Sequence, residues 1–122
     1  MFAALPDAVD RNPKLLEVLR RDGQVRLWWE QTPVDLFLNS TDYHSAVARR
    51  VRCERFMGRS LPFLSCNDLA VFKAFFNRTK DWADLEEMAA ADTIDTSAVA
   101  AVLIEMLGED DERVPRVIGL SV

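Results

Sequence analysis

The stretch that decides the fold class is "QVRLWWEQTPVDLFLN", residues 24–39. It alternates apolar and polar side chains and is rich in β-branched and aromatic residues, a pattern typical of β-strands. Gln31 and Thr32 separate its two halves, so we predict a hairpin with a two-residue loop, in which Trp28 faces Asp35 and Arg26 is diagonal to Asp35. Alternation then predicts one buried face: Val25, Leu27, Trp29, Val34, Leu36 and Leu38. The opposite face is predicted to carry Arg26, Trp28, Asp35, Phe37 and Asn39.

Helical patterns lie on both sides of this hairpin. The segment "NPKLLEVLRRDG" has leucines at helical spacing, which predicts a helix that starts near Pro13 and stops at Gly23. After the hairpin, the polar run "NSTDYH" predicts another helix, with Ser40 or Thr41 as its N-cap.

A second hairpin is predicted over residues 52–64, with Gly58 and Arg59 in its turn and Pro62 marking an edge strand. Residues 66–108 then show apolar side chains at helical spacing, and residues 109–122 form a charged and then apolar tail. We therefore predict a single α+β domain over residues 1–122. A short antiparallel or mixed sheet, built from the hairpins 24–39 and 52–64, would pack against a C-terminal set of helices.

Charge is unevenly distributed along the chain. The net charge of −5 argues against a protein whose whole surface binds nucleic acid. Five arginines lie between His44 and Ser60 with only Glu54 opposing them, whereas Asp81 to Arg113 contains eleven acidic residues and one basic residue. The basic middle and the acidic C-terminal third would attract each other, within one molecule or between two copies, or would form two solvated faces.

The remaining composition favours a cytoplasmic protein without a membrane anchor. Cys53 and Cys66 lack the spacing of a metal or redox motif and are predicted to stay reduced. The first ten residues turn acidic too soon for an export signal, and no apolar run approaches the roughly 20 residues that span a bilayer. His44 is the single histidine, which excludes a site built from several histidines.

Two aspartates in "NRTKDWADLEEM", residues 77–88, raise the question of a catalytic pair. Thr79 is a suitable N-cap, so Asp81 and Asp84 would lie in or near the first helical turn, where the helix dipole favours acids. Lys80 lies four residues before Asp84, although in the less favourable order for an ion pair. Local physics therefore favours a structural role for both aspartates.

Two segments nevertheless resemble a known family. "TPVDLFLNS" is followed about thirty residues later by "PFLSCNDLAVFKAFFNRTKDWADLEEM", and together they resemble the later half of nucleotidyltransferase-fold proteins of the AbiEii/AbiGii abortive-infection toxin-like family. In that family an acid on a central strand precedes a helical pair with the pattern D-L-x-x-x-K and R-x-K-D-x-x-D. The similarity covers about residues 24–90, and the helical pattern fits from Asp68 to Asp84.

The resemblance implies roles for individual residues. Asp35 is similar to the family's third metal-coordinating carboxylate, and Lys73 is similar to a helix lysine near the nucleotide side of the cleft. Asp68 matches the acid at the start of the first helix. The remaining matches belong to the turn and the following helix and have a more architectural role: Arg78, Lys80, Asp81 and Asp84.

The family's phosphate-binding part has no counterpart in this sequence. A glycine-serine turn and a strand with two acids as D-x-D normally precede the segments matched here, and no glycine of this chain opens such a turn. The resemblance thus predicts a truncated nucleotidyltransferase-like fold that is inactive alone and serves as a binding module. The alternatives are an enzyme completed by another chain or an upstream segment, and an unrelated small dimerisation protein.

Cofactors and partners follow from these alternatives. A single carboxylate holds Mg²⁺ poorly, so Mg²⁺ and a nucleoside triphosphate are expected only if the site is completed. Asp35 is either a vestigial metal ligand or half of an ion pair with Arg26. An uncovered hairpin rich in aromatic residues favours association, so we predict a homo-oligomer that uses residues 24–39. A further partner is expected to be a protein rather than a nucleic acid.

Overall fold

The computed structural model describes residues 6–9, 12–39 and 41–121. The chain is α+β, with two antiparallel hairpins followed by C-terminal helices. It divides into two compact units, residues 1–46 and 47–122, which are described separately below. The single domain expected from the sequence stays a prediction. In the described part of the chain, no helix is both long enough and apolar enough to cross a membrane.

The first unit opens with helix α1 (Pro13–Asp22), whose two ends agree with the sequence-based prediction. The side chain of Asn12 caps the helix by accepting a hydrogen bond from the backbone N–H of Lys14 at 3.0 Å, and proline occupies the first helical position. Gly23 ends the helix in the left-handed region with φ 73°, which a residue with a Cβ adopts only at a cost.

Strands β1 (Gln24–Trp29) and β2 (Thr32–Phe37) form the first hairpin, but its turn lies one residue earlier than predicted. Glu30 and Gln31 make the turn, with Glu30 at φ 56°, because the β-branched Thr32 continues the strand. Arg26 therefore lies directly opposite Asp35 instead of diagonal to it. Compared with the predicted register, the cross-strand partner of each residue is displaced by two positions. Because this is an even number, every side chain stays on its predicted face of the hairpin.

The buried face of this hairpin packs on α1 to make the core of the first unit. Leu27 is fully buried, and Val9, Leu19 and Val25 are nearly so. Trp29 departs from the prediction, since it lies beside the turn and remains 47% exposed. Six partly buried hydrophobic residues complete this cluster: Leu15, Leu16, Val18, Val34, Leu36 and Leu38.

Helix α2 (Asp42–Arg49) begins as predicted after Thr41, whose Oγ1 accepts a hydrogen bond from the backbone N–H of His44 at 3.1 Å. Ser40, the alternative cap, lies outside the described residues. The division between the two units falls inside this helix, after Ala46.

Strands β3 (Arg52–Phe56) and β4 (Arg59–Phe63) form the second hairpin. Its turn consists of Met57 and Gly58, not of Gly58 and Arg59, and both residues have the positive φ of a type I′ turn, at 50° and 80°. The hairpins form two separate two-stranded sheets rather than one sheet, because each strand bonds its immediate neighbour in sequence, the pairing with the shortest loop to close. All ten strand residues of the second hairpin are exposed, which differs from the packing predicted against the helices.

Four helices complete the second unit: α3 (Cys66–Phe76), α4 (Thr79–Ala90), α5 (Thr96–Leu107) and α6 (Arg113–Ile118), with a 3₁₀ turn at Gly119–Ser121. Helix α3 packs against α4, α5 and α6. Part of the segment described above as a charged and then apolar tail forms the short helix α6, which burial of Val114 and Val117, three residues apart, stabilises. The helical core consists of Ala70, Val71, Ala74, Trp82, Leu85, Ile94, Val99, Ala100, Leu103, Val114 and Val117.

Candidate functional site

Asp35 lies on the first hairpin and forms an ion pair with the residue opposite it. Arg26 donates from Nε to Asp35 Oδ1 at 2.7 Å and from Nη2 to Oδ2 at 3.0 Å, so both carboxylate oxygens accept a hydrogen bond. Those hydrogen bonds and the nearby negative charge raise the pKa of Arg26. The two side chains remain 43% and 39% exposed, respectively, and water competes for the pair.

Four of the other candidates meet at the junction of α3 and α4. Lys73 Nζ, on the last turns of α3, lies 2.6 Å from Asp84 Oδ2 and 3.8 Å from Asp81 Oδ1. Arg78 donates from Nε to Asp81 Oδ2 at 2.6 Å and from Nη2 to Oδ1 at 3.2 Å. We call Lys73, Arg78, Asp81 and Asp84 the α3–α4 ion-pair cluster.

Asp81 is the buried centre of this cluster, with 1% of its side chain exposed. It occupies the third position of α4 and accepts a hydrogen bond from the backbone N–H of Arg78 at 3.3 Å, which makes Arg78, not Thr79, the N-cap residue. Burial acts to raise the pKa of Asp81, but the hydrogen bonds and charge of Arg78, aided by the charge of Lys73, outweigh it and hold the pKa below the ordinary range. The carboxylate is therefore kept ionised and caps the helix.

The turn between α3 and α4 is held by residues that the sequence analysis did not select. Asn77 ends α3 in the left-handed region at φ 60°, and its Oδ1 accepts a hydrogen bond from Trp82 Nε1 at 2.7 Å. Trp82 is 3% exposed, and the guanidinium of Arg116 stacks on its ring at 4.1 Å from the centroid. An asparagine directly after a helical run was the available signal, since asparagine tolerates the left-handed region.

A second unselected pair joins α6 to α3. Arg113 donates from Nε and Nη2 to the two oxygens of Asp111 at 2.8 and 2.9 Å, and from Nη1 to the backbone carbonyl of Phe75 at 2.8 Å. The hydrogen bonds from Arg113 lower the pKa of Asp111 to about 2. Phe75 O is 38 positions away in sequence, so no local pattern could predict this contact.

Asp68 and Lys80 lie apart from the α3–α4 ion-pair cluster. Asp68 is 6% exposed at the start of α3, where its backbone N–H donates to the capping Ser65 Oγ at 3.1 Å. Its carboxylate accepts two hydrogen bonds from Arg50, one of them from Nε at 3.1 Å. Lys80 lies on the exposed surface of the first turn of α4.

In this arrangement the candidate carboxylates form hydrogen-bonded ion pairs with neighbouring lysine and arginine side chains. Within residues 6–9, 12–39 and 41–121, no group of three or more histidine, cysteine, aspartate or glutamate side chains has the geometry to hold a metal ion. Asp35 belongs to the first unit, and the α3–α4 ion-pair cluster belongs to the second. Cys53 and Cys66 are both exposed free thiols.

Comparison of this chain with protein-family models, curated proteins and solved structures gave no significant match. The resemblance to the AbiEii/AbiGii family therefore stays a prediction that rests on the residues quoted above.

Proposed function

We propose that this chain is a nucleotidyltransferase-like protein that has no transferase activity by itself and serves as a binding module. One observation carries the proposal. Lys73 is the residue that the resemblance places beside the nucleotide, and its ammonium group contacts Asp84 at 2.6 Å and Asp81 at 3.8 Å. Two carboxylates around one ammonium group offset the charge that a triphosphate would need.

The state of Asp35 supports the same proposal. Transfer from a nucleoside triphosphate requires Mg²⁺ held by several converging carboxylates. Both carboxylate oxygens of Asp35 instead accept hydrogen bonds from the guanidinium group of Arg26. The ion pair is a sufficient structural reason for an acid in the middle of β2, without a metal ion.

A second candidate function is an enzyme completed by another chain or by an upstream segment. The exposure of the Arg26–Asp35 pair favours it, because a solvated ion pair opens at little cost and would release Asp35 toward a metal ion. The added segment would have to supply the phosphate-binding turn and the two further carboxylates. Mg²⁺ and a nucleoside triphosphate are the cofactors of this second candidate.

Calorimetric titration with Mg²⁺–ATP and a transfer assay with radiolabelled nucleotide separate the two candidates. For the chain alone we expect no label on RNA or protein acceptors and a Kd for Mg²⁺–ATP well above the micromolar range. The variants are Asp35→Asn and, as a matched control, Asp22→Asn, since Asp22 is also exposed and also accepts two hydrogen bonds from an arginine. Micromolar binding of Mg²⁺–ATP would contradict the binding-module proposal and favour the enzyme. Nucleotide transfer that is lost in Asp35→Asn and kept in Asp22→Asn would do the same.

A further inference from the structure

The second hairpin presents an arginine-aromatic face to solvent. Strand alternation and the pairing of β3 with β4 place six side chains on this face: Arg52, Glu54, Phe56, Arg59, Leu61 and Phe63. Phe56, Leu61 and Phe63 are 55%, 36% and 41% exposed, and the rings of Phe56 and Phe63 make an edge-on contact with centroids 6.2 Å apart. We call these six residues the hairpin face.

The tip of the hairpin adds to the exposed apolar surface. Met57 is 89% exposed and has φ 50°, a conformation that asparagine or glycine adopts more readily in this turn. A two-stranded hairpin is only marginally stable in water, and here both faces of its strands are exposed. An apolar residue in a strained turn conformation at the tip of an uncovered hairpin is a feature of contact surfaces.

The same unit contains a groove whose charged lining residues, among those that the structure describes, are all acidic. It has a volume of about 870 Å³ and lies between the end of α4, the start of α5 and the 3₁₀ turn. Its charged lining residues are Glu86, Asp92 and Asp95, and no lysine or arginine is among the described residues that line it. Apolar surface is supplied by Ala89, Ala90, Ile94 and Leu120. We call this site the acidic groove.

We infer that the acidic groove of one copy of this chain binds the hairpin of a second copy. The hairpin face carries two arginines and one glutamate, Glu54, which lies 3.7 Å from Arg52, beside an aromatic cluster. The groove carries three carboxylates beside apolar side chains, so the net charges of the two surfaces are opposite and each also offers apolar contact. Burial of Phe56 and Met57 would supply the apolar contribution, and pairing of Arg52 and Arg59 with the groove carboxylates would orient the hairpin.

Each copy carries both surfaces, so two copies can exchange hairpins reciprocally. In a closed dimer with twofold symmetry the contact is made twice, so the buried area is double that of one hairpin in one groove. This doubling helps a small contact to approach the 1,200–2,000 Å² or so that stable interfaces bury.

The acidic groove favours a second copy over a nucleic acid as the occupant. Arginines next to aromatic rings also suit phosphates and bases, and the net charge of −5 opposes a polyanion and a second copy alike. The acidic groove has no role in nucleic-acid binding, whereas it has a direct role in binding a basic hairpin. The inference goes beyond the proposed function, since the surfaces contain none of the residues matched to a nucleotide site.

A charge-exchange experiment tests the contact. The first variant, Arg52→Glu with Arg59→Glu, makes the hairpin acidic, and the second, Glu86→Lys with Ala90→Lys and Asp92→Asn, makes the groove basic. Asparagine is chosen at position 92 because Asp92 has φ 56°. All five positions are exposed, and circular dichroism and thermal unfolding would verify that both variants fold.

Light scattering at tens of micromolar should give a dimer for the natural chain and a monomer for each variant alone. An equimolar mixture of the two variants should restore the dimer, because both contacts of the mixed dimer then join opposite charges. Met57→Asn should weaken association at least tenfold without lowering the thermal midpoint, since asparagine suits the turn and removes the apolar tip.

Three results would overturn the inference. They are a natural chain that is monomeric at these concentrations, a charge variant that keeps the natural mass, and a mixture of the variants that does not associate. Fluorescence anisotropy with labelled RNA and duplex DNA tests whether the hairpin binds nucleic acid instead of a second copy. Binding by a monomeric natural chain that is lost in Arg52→Glu with Arg59→Glu would assign the hairpin to nucleic acid instead.

Discussion

At the scale of single residues, burial separates two aspartates that look alike in the sequence. Asp81 and Asp84 both lie in the sequence pattern of the α3–α4 junction, and both contact Lys73. Asp81 is 1% exposed and also caps α4, whereas the side chain of Asp84 is 54% exposed. The two positions therefore differ in stability contribution although they share an ion-pair partner.

We expect Asp81→Ala to destabilise the chain by about 2–4 kcal/mol, because it leaves the Arg78 backbone N–H and two cations without their buried acceptor. Asp84→Ala is the matched control and should cost less than about 1 kcal/mol, as exposed pairs do. Urea unfolding followed by circular dichroism measures both. Equal losses for the two variants would mean that burial of Asp81 does not make it the anchor of the junction.

The surroundings of Asp35 depend on the position of the turn in the first hairpin. The position of Asp35 in the middle of a strand allowed either a metal ligand or an ion pair, and sequence spacing did not distinguish the two. The shift of the turn to Glu30 and Gln31 brings Arg26 directly opposite, which satisfies both carboxylate oxygens. A one-residue change in the turn thus moved Arg26, the ion-pair partner expected from the sequence, from the diagonal position to the directly opposite one.

At the scale of elements, a charged pair adds to the packing that attaches α6. The helix has only six residues, too few to be stable by propensity alone. Helix α6 packs mainly against α5, and Val114 and Val117 are buried. The hydrogen bond from Arg113 to the carbonyl of Phe75 links it to α3, and Asp111 holds the guanidinium in place. The ionisation of Asp111 therefore contributes to the stability of this element.

Stability of the chain should fall as pH falls from about 4 toward 2. The pKa of Asp111 is about 2 in the folded chain against an ordinary value of 3.8, so over this interval the unfolded chain binds the proton and the folded chain does not. The stability contributed by Asp111 is fully present above the ordinary pKa of 3.8 and is lost as the pH falls toward the folded-state pKa of about 2. Asp81, whose pKa is also lowered, acts in the same direction.

Urea midpoints at a series of pH values between 6 and 2 would measure this dependence. Asp111→Asn should reduce the slope between pH 4 and pH 2, since the variant has no carboxyl group at that position to titrate. Asp110→Asn removes the same charge from the exposed neighbouring position and serves as the control. An unchanged slope in Asp111→Asn would contradict the assignment.

At the scale of the whole molecule, two hairpins compete as the surface for self-association. The sequence analysis predicts that residues 24–39 make the contact, and Trp28, Trp29 and Phe37 of that hairpin are 48%, 47% and 45% exposed. The charge complementarity described above places our inferred contact on the second hairpin instead. The two proposals make opposite predictions for paired substitutions.

Trp28→Thr with Phe37→Thr should leave the association constant within about threefold of the natural value, and Phe56→Thr with Phe63→Thr should weaken it at least tenfold. Each variant replaces two exposed aromatic residues in a hairpin by a residue that favours strands, so the variants differ chiefly in which hairpin is changed. Analytical ultracentrifugation over a concentration series gives both constants. The reverse order of effects would return the contact to residues 24–39.

Local patterns in the sequence determined the α+β class, both ends of α1 and the side-chain faces of the first hairpin. These features depend on neighbours within a few positions: a proline and a glycine at the ends of a leucine-rich helix, and strict alternation along two strands. Alternation even survived the shifted turn, because an even change of partners leaves each side chain on its face. The α3 and α4 helices were predictable for the same local reason.

Only the tertiary structure decided which charged groups meet across more than about ten positions. Lys73 contacts Asp84 across 11 positions, Arg50 contacts Asp68 across 18, and Arg113 reaches the Phe75 carbonyl across 38. Helix α6 was missed because six residues carry too little periodicity to be recognised, and its burial supplies the stability that its own sequence lacks. Pairing over such separations depends on how whole helices pack, which no spacing along the chain specifies.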